Sequence, residues 1–182
     1  LADWQGLDIV IKALPKILET QPVKLHIIGR GRSRQRKMLA KQIRKLDLED
    51  YVLVLPAVPH HEIPELIAKA DICVAPLGLN DRNVTQGACP IKVLEYMAAG
   101  RPLLASNMPI VRELLREDVD GLLFSPSDPD DLARQANLLL KDVGLSKRLA
   151  ESAAAHVREK FTWHESQKKL VKVYEKLVMR DS

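Results

Sequence analysis

Pro90-Ile91-Lys92-Val93-Leu94-Glu95-Tyr96-Met97-Ala98-Ala99-Gly100-Arg101-Pro102-Leu103-Leu104-Ala105-Ser106 holds one full unit of an α/β fold. Helical spacing of apolar residues runs from Ile91 to Ala99 and stops at Gly100, and Pro102 to Ser106 reads as a buried strand. Pro90 suits the helix start, where its missing N–H would have had no intrahelical partner. The same alternation continues upstream. Gly6 to Thr20 is helical, with Leu7, Val10, Ala13, Leu14, Ile17 and Leu18 on one side, and Pro22 ends it. A strand from Val23 to Ile28 closes on Gly29-Arg30-Gly31. Ser33 is the expected cap of a helix reaching about Leu46, followed by a strand from Tyr51 to Leu55. Glu62 to Ala70 reads as a short helix with Pro64 in its first turn, Asp71 to Ala75 as a strand, and Pro76 to Cys89 as a polar loop. Downstream come a short helix from Ile110 to Arg116 and a strand from Gly121 to Phe124. Helices over Pro129–Lys141, Ser146–Phe161 and Trp163–Met179 complete the chain. This alternation predicts an α/β protein: a Rossmann-like, doubly wound parallel sheet in a three-layer α/β/α arrangement. Ligands of such sheets bind beyond the carboxyl ends of the strands. The loops to watch are therefore 29–32, 56–61, 76–90 and 106–109.

The 182 residues are 46% hydrophobic and 29% charged, which suits one soluble globular domain and not a disordered chain. A formal net charge of +4 fits an anionic small ligand and is too weak to argue for nucleic acid. Seven aromatic residues make little stacking surface for single strands. Two cysteines cannot form a disulfide framework or, alone, a metal cluster, and Cys73 sits in the apolar run Ile72-Cys73-Val74-Ala75 as a core thiol. No stretch approaches the length of a membrane span. In the last helix Leu170, Val173, Tyr174, Leu177 and Val178 form an apolar stripe, with Lys168, Lys169, Lys172 and Lys176 off it. Those lysines read as a solvated face, or as a face toward a partner domain or an anionic membrane.

Free N–H groups in the first turn after Pro90, with the positive end of the helix dipole, suit a diphosphate. Lys92 adds a positive charge near that turn. Glu95, one turn further on, carries two acceptor oxygens that match the two hydroxyls of a ribose. The adjacent His60 and His61 lack an acidic or cysteine cluster at ligand spacing and read as helix-entry residues.

Lys92 to Leu104 resembles the signature of glycosyltransferase family 4, retaining enzymes of the GT-B fold. The likeness extends along nearly the whole chain. Gln5-Gly6-Leu7-Asp8-Ile9-Val10-Ile11-Lys12-Ala13 is similar to the segment that opens the family's donor domain. Leu25-His26-Ile27-Ile28-Gly29-Arg30-Gly31 and Ala70-Asp71-Ile72-Cys73-Val74-Ala75-Pro76 are similar to its strands, and Asp120-Gly121-Leu122-Leu123-Phe124 and Pro126-Ser127-Asp128 to the region after the sugar loop. The segment from Trp163 through Tyr174 resembles the closing crossover helix. The resemblance implies the C-terminal half of a GT-B fold, with a donor domain over residues 1–161 and a crossover helix over 162–182. It implies a nucleoside-diphosphate sugar as donor, with no metal or other cofactor, and an acceptor (a glycan, a lipid or a small molecule) held by an N-terminal domain not contained in this sequence. It places the first strand of the sheet upstream of Leu1. It suggests residence in the cytoplasm, and leaves room for peripheral contact with the inner face of a membrane in the full-length protein. Glu95 matches the second acid of the family's E-x7-E motif, which holds the donor ribose. Ala88, Cys89, Pro90 and Ile91 match the turn facing the phosphates and sugar, Ala57 and Val58 match positions beside the base, and Gly29, Arg30 and Gly31 a turn near the phosphates.

Two positions depart from the family pattern. Gly87 stands where the first acid of the motif contacts the donor sugar. A subset of the family with Pro-x-Lys-x-x-Glu-Tyr-Met, as in Pro90 to Met97 here, also lacks that acid. Gln5 stands where the family has a lysine that neutralises the diphosphate, so Lys92, Arg30 or upstream residues must supply charge. The expected activity is retaining transfer of a sugar such as a hexose in polysaccharide or glycoconjugate biosynthesis, with this segment alone inactive. The alternative is a scaffold or nucleotide-binding protein that kept the fold and lost catalysis. A nucleotide-sugar 2-epimerase shares the fold, but its acids and histidines are not evident. The glycine turn at 29–31 lacks the third glycine of a dinucleotide-binding oxidoreductase.

Overall fold

The computed structural model describes residues 5–85, 87 and 89–178, and the side chains of all of these except Leu177 and Val178. Five parallel strands form two sheets. β1 (Leu25–Ile28) pairs with β2 (Val52–Leu55), and β3 (Cys73–Ala75), β4 (Leu103–Ser106) and β5 (Leu122–Phe124) pair in that order. The helices between them are α1 (Leu7–Leu18), α2 (Ser33–Lys45), α3 (Ile63–Ala68), α4 (Asp81–Val84), α5 (Ile91–Ala98), α6 (Pro109–Arg112), α7 (Pro129–Lys141), α8 (Val143–Lys160) and α9 (Trp163–Val178).

Alternation of side chains along each strand builds the three layers. Cys73 and Ala75 of β3, Leu103 and Ala105 of β4 and Leu123 of β5 face a cluster with Val93 and Met97 of α5 and Ala153 of α8. The intervening residues Val74, Leu104, Leu122 and Phe124 face the opposite side, against α1 and α7 through Val10, Ala13, Leu132 and Ala136. All of β4 is buried, as expected for a central parallel strand covered on both faces. β1 and β2 pack against α2 and the far side of α1 through Ile27, Val54, Leu39, Ile43, Ile11 and Leu14. Thus α1 contributes to two cores.

The elements expected from the sequence all form, most of them with shorter ends, while α7 keeps its expected bounds and α8 begins at Val143 rather than Ser146. Ser33 is not the cap of α2 but its first helical residue. Arg32 occupies the cap position, and its backbone N–H donates to Gln35 Oε1 at 3.2 Å. The entry to α3 is a separate 3-10 turn over His60–Glu62. The stretch expected to be irregular from Pro76 to Cys89 contains α4, because Asn80 Oδ1 accepts the Asn83 backbone N–H at 3.1 Å and caps it. The helix expected over Ile110–Arg116 is the single turn α6. α5 ends as the sequence implies, at Gly100 with φ of 61°, a left-handed conformation that a side chain would resist. Along α9, Leu170, Val173 and Tyr174 are exposed and join no core cluster, while Met179 lies outside the described residues. No helix among the described residues is long and apolar enough to cross a membrane.

Candidate functional site

The carboxyl ends of the strands gather the segments singled out above. Gly6 is the pivot for one of them. Its φ is 61°, and a Cβ there would lie 1.8 Å from the carbonyl oxygen of Pro76. Only glycine lets the chain before α1 lie on the loop that follows β3. This close approach brings Gln5 to a cavity of about 240 Å³, shared with Leu77, Arg82, Asn83, Cys89, Pro90, Ile91, Lys92 and Ile110. Five of the residues expected at the phosphates therefore line one cavity: Gln5, Cys89, Pro90, Ile91 and Lys92. Gly87 is exposed with φ of 69°, and no atom lies within 4 Å of where its Cβ would stand. Ala88 lies outside the described residues.

Arg82 was not singled out in the sequence, where it sits in a polar loop. In the fold it lines the same cavity as Lys92. Lys92 is half-buried, and its pKa is lowered, first by burial and then by the Arg82 charge, with Glu95 opposing. Two cations kept near one another in a concave site favour an anion between them. Asn83 fixes the loop that presents Arg82. Its side-chain amide donates to the Gly78 carbonyl at 2.8 Å, as the Asn80 amide does at 3.0 Å.

The first turn of α5 has fewer open amides than the sequence implied. Pro90 has no N–H, the Ile91 N–H donates to the Cys89 carbonyl at 3.0 Å, and the Val93 N–H donates to the Pro90 carbonyl at 2.9 Å. Side-chain charge therefore outweighs the helix terminus as a source of positive potential here. Glu95, three residues on from Lys92, lies on the same face of α5. Its Oε1 is 3.3 Å from His60 Nε2, so the segment after β2 is drawn to α5. His60 is thus a neighbour of Glu95, and sequence spacing gave no sign of that contact. Gly29 and the segment holding Ala57 and Val58 leave neighbouring strands at the same end of the sheet, where the Gly29 N–H donates to the Leu55 carbonyl at 3.3 Å. Neither segment, Arg30 and Gly31 included, lines the cavity of Lys92. His60 and His61 belong to no group of three or more potential metal-ligating side chains among the described residues.

The parallel α/β architecture thus carries, at the carboxyl edge of its strands, a cavity lined by two cations with a carboxylate one turn further along α5. Residues 1–156 match the family described as glycosyl transferases group 1, and the chain belongs to that family. It is 30% identical over 170 residues to an uncharacterized glycosyltransferase of Methanocaldococcus jannaschii, covering 93% of this chain and 41% of the relative. It is 28% identical over 172 residues to a phosphatidyl-myo-inositol mannosyltransferase of Mycobacterium leprae, covering 94% and 43%. In fold it is similar to Anabaena HepE, solved in complex with UDP and glucose, with a TM-score of 0.83 at 24% identity over 97% of this chain and 46% of that one. The sequence thus spans less than half the length of these relatives.

Proposed function

We propose that this chain is the donor-binding, C-terminal half of a retaining family-4 glycosyltransferase. The observation that carries this reading is the cavity in which Gln5, Arg82 and Lys92 meet at the start of α5, with Glu95 one turn further in. The diphosphate of a nucleoside-diphosphate sugar binds between Lys92 and Arg82, and the Glu95 carboxylate accepts the ribose hydroxyls. Arg82 supplies charge that the glutamine at position 5 does not. Ala57 and Val58 stand beside the base.

As the sugar–phosphate bond breaks, negative charge grows on the departing diphosphate and the sugar becomes oxocarbenium-like. Lys92 and Arg82 are placed to stabilise that growing charge, which is the principal electrostatic task of this half of the enzyme. The acceptor is bound by an N-terminal domain, to which α9 crosses back. The phosphatidyl-myo-inositol mannosyltransferase relative and the UDP-bound HepE support a nucleotide-sugar donor for this family member. The mechanism assigns no step to a metal ion.

Calorimetric titration with UDP, GDP and ADP, for the wild-type protein and Glu95→Ala, tests the reading. One diphosphate should bind, and lose about 1.5–3 kcal/mol of affinity when the charged hydrogen bonds of Glu95 are removed. Failure of a folded protein to bind any of the three overturns it. Gly87 and Gln5 favour a second reading, a nucleotide-binding scaffold without transfer. Glycosyl transfer by the full-length protein, lost in Glu95→Ala, would exclude it.

A further inference from the structure

α2 contains six cationic residues and no acidic one in thirteen residues. Five of the six fall on one face. Arg34, Lys37, Met38, Lys41, Arg44 and Lys45 recur at helical spacing, opposite the buried Leu39 and Ile43 that fix the helix to β1 and β2. All six residues of this stripe are exposed, and Arg34, Lys37, Met38 and Lys41 line one shallow groove with Ser33. None of the salt bridges among the described residues involves a member of the stripe, although most other charged helices here carry one. The acidic residues that follow the helix, Asp47, Glu49 and Asp50, join no ion pair with it either. Like charges at i,i+4, as in Lys37–Lys41 and Lys41–Lys45, repel one another. An anionic surface relieves that repulsion.

We infer that the stripe Arg34–Lys37–Met38–Lys41–Lys45 is a docking face for an anionic lipid bilayer. Three features favour a bilayer over a nucleic acid. The stripe runs along one helix face for about 17 Å, matching a planar charged surface. It has no aromatic residue on which a base could stack. At its centre is Met38, 58% exposed, an unbranched apolar side chain ringed by cations that can enter the interfacial layer. α2 opens directly after the Gly29–Gly31 turn, at the carboxyl end of the sheet, so a bilayer on this face would lie beside the edge that carries the candidate site. The inference does not depend on the identity of the donor.

The test is flotation of the full-length protein with vesicles of about one-third phosphatidylglycerol in phosphatidylcholine, against pure phosphatidylcholine vesicles. Binding is expected to the anionic vesicles only, and is expected to disappear in about 1 M salt, where screening falls to about 3 Å. Lys37→Glu/Lys41→Glu should lower the partition coefficient by about tenfold or more, while Lys37→Arg/Lys41→Arg should leave it within about twofold. Met38→Ser should weaken it by a smaller factor. If the double-glutamate protein does not fold, Lys37→Gln/Lys41→Gln takes its place. Equal binding to both vesicle types overturns the inference. So does binding insensitive to charge reversal, or tighter retention on single-stranded RNA than on anionic vesicles.

Discussion

Asp120 and His156, thirty-six residues apart, meet with Oδ2 and Nδ1 2.7 Å from one another. The Asp120 side chain is fully buried, and it also accepts from Arg116 Nε and Nη2 at 2.7 Å each and from Ser152 Oγ at 2.9 Å. One carboxylate thus ties the segment before β5 to α8. Burial pushes the Asp120 pKa up, but the hydrogen bonds from Arg116, Ser152 and His156 outweigh it and hold it down at about 2. The stabilisation from this shift is present above the ordinary aspartate range and is lost as pH falls toward 2. It amounts to about 2 kcal/mol. Thermal melts between neutral pH and about pH 3 should show the loss in wild type and a flatter acid limb in Asp120→Asn. Asp120→Ala, which strands Arg116 and His156, should cost about 3 kcal/mol at neutral pH in urea unfolding.

Arg82 and Lys92 should act together on a diphosphate. Arg82→Ala and Lys92→Met should each weaken nucleoside-diphosphate binding about tenfold by calorimetry and flatten its salt dependence. Gln5→Lys should restore part of what either loses. Because burial and Arg82 lower the Lys92 pKa, its charge is present below that pKa and disappears at a lower pH than for an ordinary lysine. Affinity should therefore fall on the alkaline side earlier in wild type than in Lys92→Arg, whose guanidinium stays charged. Coincident pH profiles of the two proteins would contradict the assignment.

Gly6→Ala should be among the most damaging small substitutions in the chain. The added carbon would collide with the Pro76 carbonyl at 1.8 Å in a left-handed backbone. A loss of about 3 kcal/mol in urea unfolding is expected. Nucleotide affinity should fall in the protein that remains folded, because Gln5 and the Arg82 loop would separate.

The two cysteines should differ in reactivity. Cys73 is buried, and burial pushes its thiol up to about 12, so it should resist maleimide. Cys89 is exposed and lines the cavity, so it should label quickly. A saturating nucleoside diphosphate should slow that labelling, and mass spectrometry can read both sites.

The layered fold was legible because Leu103, Leu104 and Ala105 sit in an apolar run too short for a helix and bounded by Gly100 and Pro102 on one side. Helix α4 was hidden, since Asn80-Asp81-Arg82-Asn83 looks like any polar loop until the Asn80 cap is seen. Gln5, Cys89, Pro90, Ile91 and Lys92 were legible by motif as neighbours around one cavity. Arg82 was not, because its approach to Lys92 depends on how Asn83 and Gly78 fold the loop between them. The Asp120 network was equally invisible, as Ser152 and His156 reach it from α8 across more than thirty residues.

α1 has a mechanical consequence of its own. The two-stranded and three-stranded sheets share no backbone ladder among the described residues, and Ile9, Val10 and Ala13 grip one while Ile11 and Leu14 grip the other. Both clusters therefore close on one helix. In deuterium exchange its central amides should be among the last to exchange, because exposing them opens two cores at once.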